Sequence, residues 1–531
     1  MVNKPDLLFF GKGKDYHSDT ALERSFTEKY YADDELSRSL NLEMLRGARI
    51  PSDTIDQQFF AEGLRLDLFV GKLLQPKYAA GYIFQVLANP STDLEVILER
   101  QSAEKELLES PEKVEFLEDT YRRLWEIAGH VWQRSTLAKA STPWTSGLMP
   151  GNTNQDAQLF AHTVHLLGMY QDIVQELGNK IFTSGPLRQV ADLAKEIEKS
   201  SEYKELGNYL HTFSNQREYR ADVSVTVNAV GGYSGMNVTR LELNTPRRSK
   251  KEWREDWSTY AILKHITELY TQNSKNLKAL IHLVGDLEFY TCGARYAYTL
   301  TSKKQPTCLP TFNDKVTQIH DLISPLLLLL PGGNPVPIDL ELTYDSFGRV
   351  ITGPNNGGKS VSLRAVGLAY TTGQNGWIVP GSSANLSLIN GLYTHFPTRD
   401  DVEGGKGSFL GEMEHDRRIL DRANSSSLVL LDEPCIGTEP SVASVQTGNF
   451  VEYMGLNHIP FLIATHMHDV ALDVKEDKYP GVTNLQAEVK FEGNRPHLTY
   501  KIIPEMAGQS YGEAVARQAG VDRESLGLPP R

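Results

Sequence analysis

A glycine-rich segment of ten residues constrains the fold of this chain more than any other part of its sequence. The segment is Ile351-Thr352-Gly353-Pro354-Asn355-Asn356-Gly357-Gly358-Lys359-Ser360, and it fits the pattern G-x-x-x-x-G-K-[ST]. In that pattern the glycines let successive backbone N–H groups turn inward around a polyphosphate, at the positive end of the following helix. We expect Lys359 to reach the β- and γ-phosphates and the Ser360 hydroxyl to ligate Mg²⁺. The sequence therefore predicts a site for ATP and Mg²⁺.

The surroundings of the segment fit this interpretation. A strand-like run ends at Val350-Ile351, and residues 361–369 have the pattern of a helix. The residues that we expect at the nucleotide are Gly353, Pro354, Asn355, Asn356, Gly357, Gly358, Lys359, Ser360 and Val361.

Two further apolar runs end in polar residues that ATP hydrolysis needs. Residues 428–431 are followed by Asp432 and Glu433, and residues 461–464 are followed by Thr465 and His466. Asp432 is expected to hold the metal through water, and Glu433 to orient or deprotonate the attacking water. A histidine at the carboxyl end of a strand in an open α/β sheet lies where ligands bind, so His466 is expected to sense the γ-phosphate.

Two other histidines have simpler interpretations. His466 and His468 could form a metal-binding pair, but no third ligand accompanies them in the sequence, which disfavours this alternative. His415 follows Glu412-Met413-Glu414 in a helical pattern, and we expect it at the surface rather than on a metal.

Composition limits the class of protein. The chain has 531 residues, 40% of them hydrophobic and 23% charged, which predicts two to four globular domains. Its formal net charge of −13 argues against a surface coated for nucleic acid, although a local basic patch can still exist. The three cysteines are unpaired in the sequence, and the apolar run 322–330 is short and interrupted by proline. These features predict a cytoplasmic protein without a membrane segment.

The pattern along the chain divides it into three parts. Residues 1–75 form a mostly helical N-terminal extension, residues 76–330 a long helical region, and residues 331–531 a domain in which strands and helices alternate. Asp93 or Thr92 is expected to cap a helix that begins at Leu94. Alternating residues at 222–228 and 237–243 predict a β-hairpin within the helical region.

A basic run follows this hairpin, and its charged residues are Arg247, Arg248, Lys250, Lys251 and Arg254. The run has two interpretations. It could be a phosphate-contacting tip with Trp253 and Trp257 nearby, or a solvated loop before a helix, since Glu252, Glu255 and Asp256 dilute its charge.

The motifs of the last part resemble those of one family, the MutS mismatch-repair ATPases. Residues 352–360 resemble its T-G-P-N-M-G-G-K-S, with Asn356 in place of Met, and residues 407–413 resemble its S-T-F-x-x-E-M. Residues 432–438 resemble D-E-x-G-x-G-T, residues 464–466 match A-T-H, and residues 510–516 resemble S-Y-G-x-x-V-A. Upstream, residues 90–101 and 283–289 are similar to the opening and closing segments of the family's helical core.

The resemblance implies a multidomain fold: an α-helical core and lever with a small β-rich clamp-like insertion near 220–250, followed by an α/β ABC-type P-loop ATPase domain. It implies that two copies face each other as a homodimer, with Ser408 near a helix N-terminus completing the ATP site of the other copy. It also implies binding of double-stranded or branched DNA, a role in DNA repair or recombination, and a DNA contact for Arg247, Arg248, Lys250 and Lys251.

The chain departs from the family in places. We expect no mismatch-recognition domain of the family's kind in the few residues before the helical core. Phe60-Ala61-Glu62, which spells the family's Phe-x-Glu wedge, lies in the helical pattern of 57–74. Cys435 and Ile436 replace a Gly and an Arg, and we expect no Smr nuclease domain. A rival hypothesis is an ATP-switched protein that grips another protein or a ribosome or RNA assembly. The loop 334–340 is our hypothesis for adenine contacts.

Overall fold

The computed structural model describes residues 7–8, 57–140, 153–216, 219–227, 233–243, 257–397, 408–492, 495–505 and several positions between 517 and 528. They fall into two compact units, one containing Glu109–Thr291 and the other the described parts of Ala48–Leu108 and Cys292–Arg531. Within the described chain, we find no helix long and apolar enough to span a bilayer. The basic run predicted at 247–251 lies outside the described residues.

The described helices, in chain order, are α1 (Gln57–Gly63), α2 (Leu66–Leu68), α3 (Ala80–Leu87), α4 (Leu94–Glu109), α5 (Pro111–Ala140), α6 (Thr153–Asn179), α7 (Gly185–Lys199), α8 (Ser201–Gln216), α9 (Trp257–Ile281), α10 (Leu283–Ser302), α11 (Lys359–Gln374), α12 (Ser408–Arg422), α13 (Pro440–Leu456) and α14 (His468–Lys475). The described strands are β1 (Tyr219–Val227), β2 (Tyr233–Leu243), β3 (Thr311–Asn313), β4 (Thr317–Leu322), β5 (Ile338–Leu342), β6 (Gly348–Thr352), β7 (Ser383–Ser387), β8 (Gly391–His395), β9 (Ser427–Asp432), β10 (Phe461–Ala464), β11 (Val482–Glu492) and β12 (Arg495–Ile503).

The first unit is built from α5 to α9 and the hairpin β1–β2. The hairpin is antiparallel, with Tyr219 opposite Leu243, so the strand pair predicted from the alternating residues is confirmed. Among the helices, the buried amide of Asn273 on α9 donates to the carbonyl of Glu202 on α8 and lies 3.4 Å from the Tyr170 hydroxyl on α6. Hydrogen bonding of a buried amide to two neighbours fixes the relative positions of three helices.

The second unit contains a six-stranded sheet in the order β12-β11-β6-β10-β9-β8. Strands β6, β9 and β10 are buried along their whole length, as expected for parallel strands covered on both faces. The strands predicted at 428–431 and 461–464 are thereby confirmed. A four-stranded sheet, in the order β3-β7-β4-β5, lies in the same unit. Helices together with mixed sheets agree with the multidomain α and α/β class that the sequence predicts.

Two local predictions can be compared with the structure. Asp93 caps α4, since its carboxylate accepts the backbone N–H of Glu95 at 2.9 Å. The single helix expected over 57–74 is wrong, because Arg65 adopts a left-handed backbone with φ 56° and separates α1 from α2, and residues 69–74 form a π-helical turn. Phe60 lies inside α1 with 6% of its surface exposed, so this ring is a core residue and not a protruding wedge.

The C-terminal end of α11 is fixed to the segment that opens the helical region. The Gln374 side-chain amide donates to the carbonyl of Ser91 at 2.8 Å, and its backbone carbonyl accepts the Ser91 N–H at 3.2 Å. The fully buried guanidinium of Arg100 on α4 donates to the side-chain oxygen of Asn375 at 2.8 Å. Buried polar groups satisfied in this way hold two elements in one defined arrangement.

Gly376 lies at this junction, beside Arg100. We expect its replacement by alanine to be strongly destabilising. Its φ is +82°, and an added Cβ would lie 2.4 Å from the Cβ of Arg100. The strain and the clash together predict a loss of about 2–4 kcal/mol in the free energy of unfolding, measured by denaturant titration. As a control, Gly411→Ala in α12 meets no atom within 4 Å and should not reduce stability. Equal stability of the two variants would contradict the assignment.

Candidate functional site

The glycine-rich segment forms a tight loop between β6 and α11. Gly353 has φ +133° and Gly358 has φ +97°, and both values favour glycine. A Cβ at Gly353 would lie 2.9 Å from the Cβ of Ala487, so space also requires glycine there. Asn356 has φ 63°, a left-handed conformation that asparagine tolerates better than most residues. The loop therefore presents its backbone at the N-terminus of α11, as the sequence predicts.

Lys359, the first residue of α11, has its side chain folded back onto the loop. Its ammonium donates to the carbonyl oxygens of Gly353 at 3.0 Å and Pro354 at 3.1 Å. The same nitrogen lies 3.8 Å from Oε1 of Glu433. Burial lowers the pKa of Lys359, although the negative charges of Glu433 and Asp432 oppose this effect. The ammonium is thus held at the loop by groups that a phosphate could replace.

Ser360 and Asp432 bring two oxygen donors together. The Ser360 hydroxyl donates to Oδ1 of Asp432 at 2.9 Å, and the Asp432 side chain is almost fully buried. Burial raises the pKa of this carboxyl, while the hydrogen bond from Ser360 and the positive charge of Arg364 act in the opposite direction. A hydroxyl beside a carboxylate suits a small hard cation such as Mg²⁺, which keeps most of its water ligands. The residues present therefore fit the metal implied by the sequence.

Glu433 and His466 lie at the same edge of the sheet. Glu433 has φ 50°, a strained backbone for a non-glycine residue, and its N–H donates to the carbonyl of Ala464 at 2.8 Å. Nδ1 of His466 lies 3.9 Å from Oε1 of Glu433, and the imidazole is half exposed. The structure thus brings together four predicted residues from three different elements: Lys359, Asp432, Glu433 and His466.

A cavity of about 720 Å³ opens over the loop, and several of its lining residues were not predicted. Asn334 and Val336, within the segment suggested for adenine, line it, but so do Leu327, Leu330 and Tyr500. Leu330 and Tyr500 are half exposed, with 57% and 50% of their surface accessible. Leu327 and Leu330 belong to the apolar run 322–330, but apolar residues alone do not distinguish a cavity wall from a buried core, so the sequence did not reveal this role.

The structure does not describe the side chain of one other predicted residue, and it contradicts the prediction for another. Ser408 is the first residue of α12, but its side chain lies outside the described set. The surface position predicted for His415 is wrong, since the side chain is 4% exposed and its Nε2 contacts the carbonyl oxygen of Thr394 at 3.1 Å. Among the described residues, no group of three His, Cys, Asp or Glu side chains is arranged to hold a metal.

Comparison with known proteins extends this picture. Residues 349–526 match the family model described as MutS domain V. This range includes the loop, Asp432, Glu433 and His466. This part of the chain is similar to MutS domain V. Within the MutS motif, Cys435 occupies a glycine position and has φ 67°, which explains why the family motif places glycine there.

Three curated relatives show the extent of the similarity. The chain is 31% identical over 261 residues to a protein named Endonuclease MutS2 from Streptococcus uberis, which is 49% of this chain and 32% of that protein. It is 30% identical over 264 residues to the DNA mismatch repair protein MutS of Lactobacillus delbrueckii subsp. bulgaricus, or 49% of this chain and 31% of that protein. It is 33% identical over 272 residues to the DNA mismatch repair protein MutS of Methanosarcina mazei, which is 50% of this chain and 29% of that protein. The chain thus spans about a third of the length of the relatives it matches.

The buried charge of Asp432 predicts a pH-dependent stability. Because burial raises the pKa of Asp432 above its unfolded value, the ionised form reduces stability at neutral pH; this reduction fades as pH falls through the raised folded pKa and is gone below the unfolded value of about 4. Asp432→Asn in the nucleotide-free and Mg²⁺-free protein should therefore melt at the same or a higher temperature than wild type at pH 7.5. The difference in melting temperature between the variant and wild type should disappear as the pH is lowered. A lower melting temperature of the variant at pH 7.5 would contradict this assignment.

Proposed function

We propose that this chain is an ATPase of the MutS type, in which ATP binding and hydrolysis at a composite dimer site drive a clamp that acts on DNA. The observation that carries the proposal is the convergence of Lys359, Asp432, Glu433 and His466 beside the loop, from elements that are far apart in the sequence. Each of the four supplies a different part of phosphoryl-transfer chemistry.

The loop and Lys359 bind the polyphosphate. The N–H groups at the start of α11 and the helix dipole attract the negative charge of the phosphates. Lys359 exchanges its bonds to the carbonyls of Gly353 and Pro354 for bonds to phosphate oxygens. Charge-assisted bonds to phosphate are stronger than bonds to neutral carbonyls, so this exchange favours nucleotide binding.

Ser360 and Asp432 are the residues that would hold Mg²⁺, which supplies charge neutralisation of the β- and γ-phosphate oxygens when it is bound. Ser360 ligates through its hydroxyl, whose present hydrogen bond to Asp432 places both oxygens within 2.9 Å. The carboxylate of Asp432 would hold the bound cation through water. The buried setting strengthens each of these interactions.

Glu433 and His466 act on the other side of the γ-phosphate. The carboxylate of Glu433 accepts a proton from the attacking water as the water oxygen bonds to the γ-phosphorus and the bond to the β–γ bridging oxygen breaks. His466 donates a hydrogen bond to the γ-phosphate, which ADP lacks. Holding these groups on rigid strand ends supports hydrolysis by positioning.

The apolar end of the cavity is suited to the adenine base. Leu327, Leu330 and Val336 provide apolar contacts, and the ring of Tyr500 provides a face for stacking. Tyr500 has φ 61° and lies beside the backbone of Gly358, where a Cβ would be 3.9 Å from Cδ1 of the tyrosine. We propose that these residues, together with Asn334, hold the base and ribose.

A second copy of the chain would complete the site. Ser408 begins α12, so its position at a helix N-terminus suits contact with the γ-phosphate bound by a facing copy. ATP then joins two copies, and hydrolysis releases them, which gives the chain a nucleotide-dependent change of shape. The relatives carry the names Endonuclease MutS2 and DNA mismatch repair protein MutS, and these names favour DNA as the molecule held by the dimer.

Glu433→Gln tests the hydrolytic role. Because the amide cannot accept the proton of water, the hydrolysis rate should fall by about 10²–10⁴-fold while ATP affinity is kept within a few fold. The measurements are steady-state phosphate release and equilibrium ATP binding. Glu452→Gln, on the exposed face of α13, is the control and should behave as wild type. Unchanged hydrolysis in the Glu433 variant would refute the assignment.

The rival hypothesis is an ATP-switched protein that grips another protein or an RNA assembly, and the net charge of −13 favours it. A series of DNA-binding measurements distinguishes this rival from the DNA clamp. Mismatched, branched and plain duplexes are titrated with the ATP-bound protein at increasing salt. The clamp should bind at low salt, and its affinity should fall steeply as salt rises because counterions are released from the phosphates. Absence of binding to every duplex at low salt would favour the rival.

A further inference from the structure

A buried polar pair lies behind the candidate site and has no part in the roles assigned above. Nδ1 of His395, the last residue of β8, lies 2.6 Å from Oδ1 of Asp416 on α12. Only 8% of the histidine side chain and 2% of the aspartate side chain are exposed. Removing two such groups from water costs several kcal/mol for each ion, so packing alone does not account for the pair.

The pair joins α12 to β8, the strand that pairs with β9, which ends at Asp432. His395 lies opposite Leu431 in the parallel pairing of β8 with β9, one residue before Asp432. Asp416 occupies the middle of α12, and neighbouring His415 contacts the carbonyl of Thr394 at 3.1 Å. The rings of His395 and His415 meet edge to face at 5.5 Å. Two adjacent residues of α12 are therefore fixed to the end of β8.

The first turn of α12 in turn packs against the segment that follows Glu433. A Cβ at Gly437 would lie 3.3 Å from Oε2 of Glu412 and 3.4 Å from Cα of Phe409, so the backbone of Gly437 is in close contact with the helix. Between Glu433 and Gly437 the chain has two left-handed non-glycine residues, Glu433 at φ 50° and Cys435 at φ 67°. A strained segment keeps such a conformation only where its surroundings enforce it.

We propose that His395 and Asp416 are positioning residues for ATP hydrolysis: they fix α12 to β8, and α12 then holds residues 433–437 in the strained conformation that aims the Glu433 carboxylate. The proposal rests on the ATPase function proposed above. It assigns to the pair an effect on the chemical step and not on nucleotide binding, because Lys359 and the loop are held by separate contacts.

The electrostatic surroundings support an ion pair. Burial alone would lower the pKa of His395, but the hydrogen bond and the charge of Asp416 outweigh it, with further contributions from Glu412 and Asp432, and the pKa is raised. His395 therefore carries a proton more readily than an ordinary histidine. A charge-assisted bond is shorter and more directional than a neutral one, which suits a positioning role.

Asp416→Ala tests the proposal, with hydrolysis, ATP binding and amide hydrogen exchange measured on the full chain. We expect kcat to fall by about 10- to 100-fold, as for a small misplacement of a catalytic group, and the Kd for ATP to change by less than about threefold. Amides of residues 433–439 should exchange faster. Asp416→Asn keeps a hydrogen-bonding side chain and should recover most of kcat. If Asp416→Ala does not fold, His395→Ala, which removes the other member of the pair, is measured instead with the same expected losses.

Asp421→Ala is the matched control, since Asp421 lies on the same helix in an exposed ion pair with Arg417 at 2.6 Å. It should leave kcat and exchange unchanged. A folded Asp416→Ala protein with wild-type kcat and wild-type exchange would overturn the proposal, and so would a loss of ATP affinity equal to the loss of kcat. If the wild-type chain itself does not hydrolyse ATP, the proposed function fails, and exchange at residues 433–439 still decides whether the pair positions the segment.

Discussion

The candidate site depends on the parallel pairing of three buried central strands of the large sheet, β6, β10 and β9, because the site residues lie at their carboxyl ends. Two backbone hydrogen bonds past the strand ends extend this pairing: Thr465 donates to the carbonyl of Ile351 at 3.0 Å, and Glu433 donates to that of Ala464 at 2.8 Å. Because each bond joins residues that are remote in the chain, the loop, the carboxylates and the histidine come into register only when β6, β9 and β10 are paired. The site is therefore a property of the folded sheet and not of any one motif.

Helix α11 connects the phosphate loop to a second fixed point of the same unit. It begins at Lys359 and ends at Gln374, so its 16 residues extend about 24 Å between the phosphate loop and the junction with Ser91 and Arg100. Both ends are fixed by hydrogen bonds, at the loop through Lys359 and at the junction through Gln374 and Asn375. Helix α11 therefore connects the phosphate loop directly to α4, the helix that opens the helical region.

The sequence predicted the residues that meet at the candidate site better than it predicted their surroundings, for physical reasons. Lys359, Asp432 and His466 were predictable because phosphate binding and parallel strands impose fixed spacing and apolar runs on the sequence. The break at Arg65 was not, because a left-handed residue within an apolar helical pattern is set by tertiary packing around Leu64 and Leu66, both fully buried. His415 was wrongly expected at the surface, and Asp416 was not singled out, for the same reason: polar residues in a helical pattern indicate solvent unless their partner, here on β8, is known.

The position of the Lys359 side chain has a consequence for ligand selectivity. Its ammonium donates to two loop carbonyls and lies 3.8 Å from Glu433. A small anion that reached only the ammonium would have to displace these partners and would gain one interaction in return. A triphosphate bound as proposed would replace them all and add contacts to the loop N–H groups and the apolar cavity wall, so the proposed site favours a triphosphate over inorganic phosphate.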